Sequence, residues 1–150
     1  MEHINMENKI QKVEYNNYEI GDSAYFSKTI TEADIILFAG ISGDFNPLHI
    51  DNEFSKTTRF GKRIIHGIFS SALISACLGT KLFGPGILYI SQTTTFKKPT
   101  FVGDTLTAIA IVTEKFLAKN GEKKFIRCAT NVYNQNNVLV TEGTALLLFI

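Results

Sequence analysis

The chain has 150 residues and a mass of 16.7 kDa, the size of one compact domain. Its 15 lysines and arginines against 14 aspartates and glutamates leave a net charge of +1, which argues against a nucleic-acid-binding protein. Hydrophobic residues make up 45% and charged residues 19%. This balance excludes a disordered chain and suggests that another subunit covers part of the apolar surface, so we expect a homo-oligomer.

The N-terminal residues 1–17 are polar and rich in asparagine and lysine, without the apolar segment of a signal peptide. No run approaches the roughly 18 apolar residues that a bilayer span needs. We therefore expect a loose polar arm at 1–17, a single domain at 18–150, no membrane partner and a cytoplasmic location. Cys77 and Cys128 lie in apolar contexts without a Cys-x-x-Cys spacing, which predicts two reduced core thiols.

The first half of the chain alternates extended and helical patterns. Residues 24–30 have strand character, and Thr31 with Asp34 resembles a capping box that begins a helix over 33–39. Glycines at 40–43 should end that helix.

The segment that follows begins with an irregular loop at 44–51. In this loop Pro47 forces Asn46 out of helical geometry. A short helix over 51–58 follows it. The segment 66–79 is uncharged, with small or apolar residues on every side, and predicts a buried helix.

The second half predicts a sheet. β-Branched and aromatic residues dominate four segments, and the last of them ends in an unbroken apolar run at 145–149 that predicts a strand covered on both faces. Asn120-Gly121 is a strong hairpin signal, and residues 134–137 offer a looser turn. We expect consecutive strands to pair as an antiparallel meander, with strands at 87–97, 105–116, 124–133 and 138–149.

A buried helix followed by such a meander indicates an α+β fold in which a curved sheet wraps around the helix, the hot-dog arrangement. The same periodicity also fits other α+β sheets, so sequence motifs are needed to distinguish the hot-dog fold from them.

Two polar groups in the loop are candidates for acid-base chemistry. Asp44 and His49 stand five residues apart in a segment fixed by Asn46-Pro47. A carboxylate and an imidazole held together can share a water molecule, one taking its proton while the other orients it. The alternative is a polar turn in which Asp44 caps a backbone N–H and His49 is a surface residue.

The start of the uncharged helix is a candidate oxyanion site. Gly67 permits close approach, and the first N–H groups of a helix have no partner within it. Such a donor would stabilise a developing enolate oxygen of a thioester. The alternative is that this glycine serves only tight packing of the helix. Ser75, two turns later, is a candidate site hydroxyl, and its alternative is a small packing residue whose hydroxyl bonds to a carbonyl of its own helix.

Three stretches together resemble the MaoC-like (R)-specific enoyl-CoA hydratases: residues 38–51, 65–68 and 92–105. They carry an Asp-x-Asn-Pro-x-His core, a downstream His-Gly and a Phe-x-x-Pro-x-x-x-Gly-Asp element. The resemblance covers residues 18 to 150.

This resemblance implies a hot-dog fold and a homodimer whose sheets join edge to edge. It also implies a catalytic Asp44 and His49 and an oxyanion donor at the Gly67 N–H. Asn46 matches the motif's asparagine as a supporter of the loop or the bound water, and Ser75 matches a serine that lines the site in some members. We therefore predict that Asn46 and Ser75 are substrate-binding residues.

The reaction that follows is reversible syn hydration of a trans-2-enoyl thioester to the (R)-3-hydroxyacyl thioester, with no metal and no redox cofactor. Coenzyme A or an acyl carrier protein would carry the acyl group. The alternatives are hot-dog thioester hydrolysis, in which water attacks C1, and a non-catalytic acyl-thioester-binding subunit. Candidates near the mouth of a coenzyme A cleft are Arg59, Lys62, Arg63, Lys97 and Lys98, which otherwise form a solvated rim.

Overall fold

The computed structural model describes residues 11–150, which form a five-stranded antiparallel sheet with one face packed on a helix. This architecture confirms the predicted α+β class and the hot-dog arrangement. The strands are β1 (Ser23–Thr29), β2 (Ile87–Phe96), β3 (Thr105–Ala118), β4 (Lys123–Tyr133) and β5 (Leu139–Phe149). The helices are α1 (Glu32–Ser42), α2 (Pro47–Ile50), α3 (Asn52–Lys56) and α4 (Gly67–Cys77), with a 3₁₀ turn at Tyr15–Asn17 and a π-helical turn at Leu78–Leu82.

Helix α1 begins at the predicted capping box. The Thr31 hydroxyl accepts from the Asp34 amide at 3.3 Å, and the Asp34 carboxylate accepts from the Thr31 amide at 2.9 Å. The helix passes through Gly40 and ends at Gly43, whose φ of +77° is the left-handed conformation that glycine adopts at low cost. The helix therefore continues past residue 39 but ends within the predicted stop at 40–43, and its cap Gly43 directly precedes Asp44.

The strand order is β1-β3-β4-β5-β2, so the predicted meander is wrong for β2. β3, β4 and β5 form consecutive hairpins, whereas β2 pairs with β5 at the far edge. The segment 97–104 cannot act as a hairpin turn, because its amides and carbonyls bond elsewhere: Lys97 N–H to Val140 O, and Thr100 O to the Ile65 amide. It is a crossover that carries the chain from one edge of the sheet towards the other.

The two hairpin turns lie where the sequence predicts them. Asn120 and Gly121 both have positive φ in the turn between β3 and β4. The Asn134 side chain accepts from the Asn136 and Val138 amides in the turn between β4 and β5.

The core lies between α4 and one face of the sheet. Inward positions alternate with outward ones, as in β3, and the core positions of β3 are Leu106, Ala108, Ala110 and Val112. The two cysteines are buried and unpaired, as predicted.

Two expectations of complete burial are wrong for the single chain. α4 exposes Ile68 and Ser75 because it covers the sheet with one side only. β5 leaves Leu146 and Leu148 half-buried because they lie on the face of the sheet opposite the helix.

The packed domain begins before the predicted boundary at residue 18. The Val13 amide donates to the Pro85 carbonyl at 2.8 Å, and the Tyr15 ring packs edge-on against Phe149. Residues 1–10 of the predicted arm lie outside the described residues. Between residues 11 and 150, no helix is both long enough and apolar enough to span a membrane.

Candidate active site

The Asp44 side chain is held by the loop that carries it. Its Oδ1 atom accepts a hydrogen bond from the Asn46 amide at 3.1 Å, and its own amide donates to the Ser42 hydroxyl at 3.2 Å. Oδ2 remains on the side of His49. The structure thus contains the backbone-capping contact that we considered as an alternative, and it leaves the second carboxylate oxygen available.

Asn46 and Pro47 build the one-turn helix that presents His49. The Asn46 side chain accepts from the Leu48 amide at 3.0 Å and caps α2, and Pro47 occupies the first helical position, where its missing N–H costs nothing. The loop predicted as irregular therefore contains a helical turn. Asn46 supports the loop, as one of its two predicted roles required; its substrate contact stays a prediction.

The hydrogen bonds of His49 fix the tautomer of its neutral ring. Nδ1 lies 2.8 Å from the Ile64 carbonyl, and a carbonyl can only accept, so the Nδ1 proton points there. Nε2 then carries a lone pair and lies 3.9 Å from Asp44 Oδ2. That distance is too long for a direct hydrogen bond, but a water oxygen about 2.8 Å from each atom fits between them. The His49 side chain is 11% exposed and that of Asp44 is 49% exposed, so solvent reaches the pair from the Asp44 side.

Gly67 provides a free donor close to His49. It is the first residue of α4, and its amide forms no hydrogen bond within residues 11–150. A Cβ atom at this position would lie 3.1 Å from the Phe96 ring, a closer contact than most side chains tolerate. The structure therefore shows tight packing at this glycine and an amide without an internal partner among the described residues, and the oxyanion role of that amide stays a prediction.

His49 and Gly67 line one cavity of about 310 Å³, near the lower end of the range for small-molecule sites. Phe96 forms an apolar part of its wall. Ser70 and Thr141 form a polar part: the Ser70 hydroxyl donates to the Gly67 carbonyl at 2.7 Å and lies 3.0 Å from the Thr141 hydroxyl. We did not predict this pair, because the sequence gives no sign that residue 141 lies beside residue 70.

The basic residues predicted near the mouth of a coenzyme A cleft lie in different surroundings in the structure. Arg59, Lys97 and Lys98 line the cavity, although Lys97 also pairs with Glu142. Lys62 lies over the Phe101 ring, 4.1 Å from its centroid.

Arg63 binds Glu32 through two hydrogen bonds of 2.6 and 2.7 Å, which lower the pKa of the Glu32 carboxyl. It also donates to the His49 carbonyl at 3.4 Å. Arg63 therefore joins α1 to the segment that carries His49 rather than facing the cavity.

Ser75 does not lie with the other predicted residues. It is exposed on α4, two turns beyond Gly67, and does not line the cavity of the single chain. Its role in substrate binding stays a prediction.

A second histidine, His66, completes the cluster. Asp44, His49 and His66 each offer a ligand atom within 4.8 Å of the others. However, the two imidazoles are stacked with their planes at 28°, so their in-plane lone pairs do not converge on one point. This geometry favours a hydrogen-bonded site over a metal centre.

Comparison with known proteins decides the family. The family model described as MaoC like domain matches residues 16–134. The chain belongs to the MaoC-like domain family. This MaoC-like protein is 42% identical over 134 residues to the (R)-specific enoyl-CoA hydratase of Rhodospirillum rubrum, covering 89% of this chain and 90% of that one. It is 38% identical to the 3-hydroxybutyryl-CoA dehydratase of Methylorubrum extorquens, covering 89% and 82%.

Solved structures agree with the sequence comparison. The MaoC-like protein superposes on the unliganded R-hydratase PhaJ1 of Pseudomonas aeruginosa with a TM-score of 0.83, at 42% identity over 92% of this chain and 86% of that one. The (R)-hydratase of Aeromonas caviae gives a TM-score of 0.79, at 38% identity over 87% and 96%. The resemblance stated from the motifs is thereby confirmed.

Proposed function

We propose that this protein is an (R)-specific enoyl-CoA hydratase, a hydro-lyase that adds water reversibly to trans-2-enoyl thioesters. One observation carries the proposal: a carboxylate and an imidazole stand one water molecule apart, and the imidazole lines the same cavity as a helix N-terminal amide that has no hydrogen-bond partner within residues 11–150. The curated relatives named above, which match most of the chain, bear the names of enzymes of this reaction.

In the hydration direction, the bridging water donates one hydrogen bond to the His49 Nε2 lone pair and the other to Asp44. His49 takes a proton as the water oxygen bonds to C3. The C2–C3 π electrons move towards the thioester, and the Gly67 N–H stabilises the charge on its oxygen. The proton is then delivered to C2 from the same face, so one water is added and His49 returns to its neutral form.

The first experiment follows the loss of enoyl absorbance from crotonyl-CoA with the wild type and Asp44→Asn, and then determines the configuration of the product. We expect rapid loss to the (R)-alcohol in the wild type and almost none in the variant. Glu53→Gln is the matched control, because Glu53 is an exposed carboxylate that pairs with Lys56 outside the cavity.

The other outcomes separate the alternatives. Release of free thiol without loss of the enoyl group would indicate a thioesterase. Binding without turnover, across enoyl thioesters of several lengths on both carriers, would indicate a non-catalytic subunit. Either result would refute the hydratase proposal.

We also infer a homodimer that joins through β2. This strand bonds to β5 on one side only, and its other edge has no partner among residues 11–150. Leu88 and Ile90 on β2 are each 46% exposed, and an exposed apolar edge strand is a surface that another strand can extend. Sedimentation equilibrium is expected to give twice the chain mass, and Ile90→Lys should weaken the association. A monomer at all concentrations would contradict the inference.

The carrier is coenzyme A or an acyl carrier protein, since both present the same pantetheine arm to the cavity, and comparing kcat/KM for the two crotonyl thioesters will identify it.

We place the reaction in fatty acid metabolism in the cytoplasm. The two unpaired cysteines support that location, because reducing compartments keep thiols free. Fractionation of the host cell tests the placement, and recovery outside the cytoplasm would refute it.

A further inference from the structure

His66 is a buried imidazole that the mechanism above does not use. It is 1% exposed and immediately precedes Gly67, the proposed oxyanion donor. Its side chain contacts both members of the acid-base pair: the main chain of Asp44 and the ring of His49. Its side chain thus contacts both residues of the pair, and its main chain is bonded directly to Gly67.

The hydrogen bond of His66 has a defined direction. Nε2 lies 2.9 Å from the Asp44 carbonyl oxygen, which can only accept, so Nε2 carries the proton. In the neutral ring, Nδ1 then holds a lone pair, and this atom is buried without a hydrogen-bond partner within residues 11–150. The tautomer is the opposite of that of His49, whose proton is on Nδ1.

The ring of His66 also supports His49. The two imidazoles stack with ring centroids 3.9 Å apart, and the centroid of the Phe38 ring lies 5.0 Å from that of His66. Stacking against a buried ring restricts rotation of His49 about its side-chain bonds. The Nδ1 bond to Ile64 restricts it within the ring plane.

We propose that His66 is a positioning residue. It donates a hydrogen bond to the Asp44 carbonyl and stacks on the His49 ring, and it thereby holds both residues in place beside the Gly67 amide. The inference rests on the proposed hydratase function. A role in packing alone would be served equally well by an apolar ring, because the unpartnered Nδ1 atom gains nothing from burial. The hydrogen bond that Nε2 donates to the Asp44 carbonyl therefore accounts for a histidine, and not an apolar ring, at position 66.

Three variants separate positioning from packing. His66→Phe keeps a planar ring against His49 but removes the donor, and His66→Gln places an amide donor near the former Nε2 position. Thr130→Val is the matched control, since Thr130 is fully buried, bonds to the Gln92 side chain at 2.9 Å and does not line the cavity.

We expect His66→Phe to lower kcat by about 10²-fold, the scale of a small misplacement of catalytic groups, with KM within about twofold of wild type. His66→Gln should recover most of that loss, and Thr130→Val should leave kcat unchanged. The melting temperature of His66→Phe should equal or exceed that of the wild type. A fully active His66→Phe, or equal losses in the Phe and Gln variants, would overturn the proposal.

Nitrogen NMR of histidine-labelled protein tests the same inference without turnover. The wild type should show His66 protonated at Nε2 and His49 at Nδ1. In His66→Phe the Nε2 signal of His49 should shift, because the main chain of Asp44 loses the hydrogen bond that holds it beside His49. A proton on Nδ1 of His66, or an unchanged His49 signal in His66→Phe, would refute positioning. If the wild type hydrates no enoyl thioester, the hydratase proposal fails and the NMR result still decides the role of His66.

Discussion

The acid-base pair is expected to behave as one catalytic unit. Asp44→Asn, His49→Gln and the double variant test this, because all three keep polar side chains of similar size. In the proposed mechanism a single water bridges Nε2 and Oδ2, which lie 3.9 Å apart, so losing either group would leave the other without a correctly held water. Each single variant should lose about 10²- to 10⁴-fold in kcat, or about 2.7–5.5 kcal/mol of transition-state stabilisation.

The double variant decides the matter. If the pair acts as a unit, it should lose about as much as the worse single variant. Two independent groups would instead multiply to about 10⁴- to 10⁸-fold. The assay is the initial rate of enoyl absorbance loss at saturating crotonyl-CoA, with the fold of each variant checked by circular dichroism and Glu53→Gln as control. Multiplicative losses would refute the shared water.

Two further predictions concern the scaffold. Asp34→Asn should lower the free energy of unfolding by about 0.5–1 kcal/mol at neutral pH. The hydrogen bond from the Thr31 amide lowers the pKa of Asp34, so its stabilisation is present above its usual pKa of 3.8 and is lost as pH falls through the lower folded value. Urea unfolding should show the difference shrinking with acid, and a constant difference would contradict this. Burial raises the pKa of Cys128 to about 12 and also raises that of Cys77. At pH 8 the thiolate fraction of Cys128 is on the order of 10⁻⁴, so dithionitrobenzoate should label neither thiol until denaturant is added. Rapid labelling of the folded protein would refute that.

The sequence predicts what is encoded locally. The capping box at Thr31 and Asp34 and the turn at Asn120-Gly121 depend on residues within one turn of each other, and the structure contains both. The spacing of Asp44 and His49 predicts a shared site because the residues between them, Asn46 and Pro47, fix the loop.

Non-local features had no such signal. The pairing of β2 with β5 is set by the path of the crossover after β2, and the encounter of Ser70 with Thr141 follows from that pairing. His66 belonged to a recognised His-Gly pair, but only folding shows that its ring stacks on His49. Ser75 shows the converse: a motif position predicts a site contact that the single chain does not form.

The central position of β5 between β4 and β2 bears on how the protein emerges from the ribosome. β2 is synthesised before β3 and β4, yet its partner among the described strands is the last of the five to appear. Until residue 149 has been added, the nascent chain therefore carries an apolar strand with two open edges. Shortening the chain within β5 would open an edge on each of two strands, β4 and β2, whereas loss of β1 would open one edge on β3. The penalty for truncation therefore falls more heavily on this end of the domain than on β1.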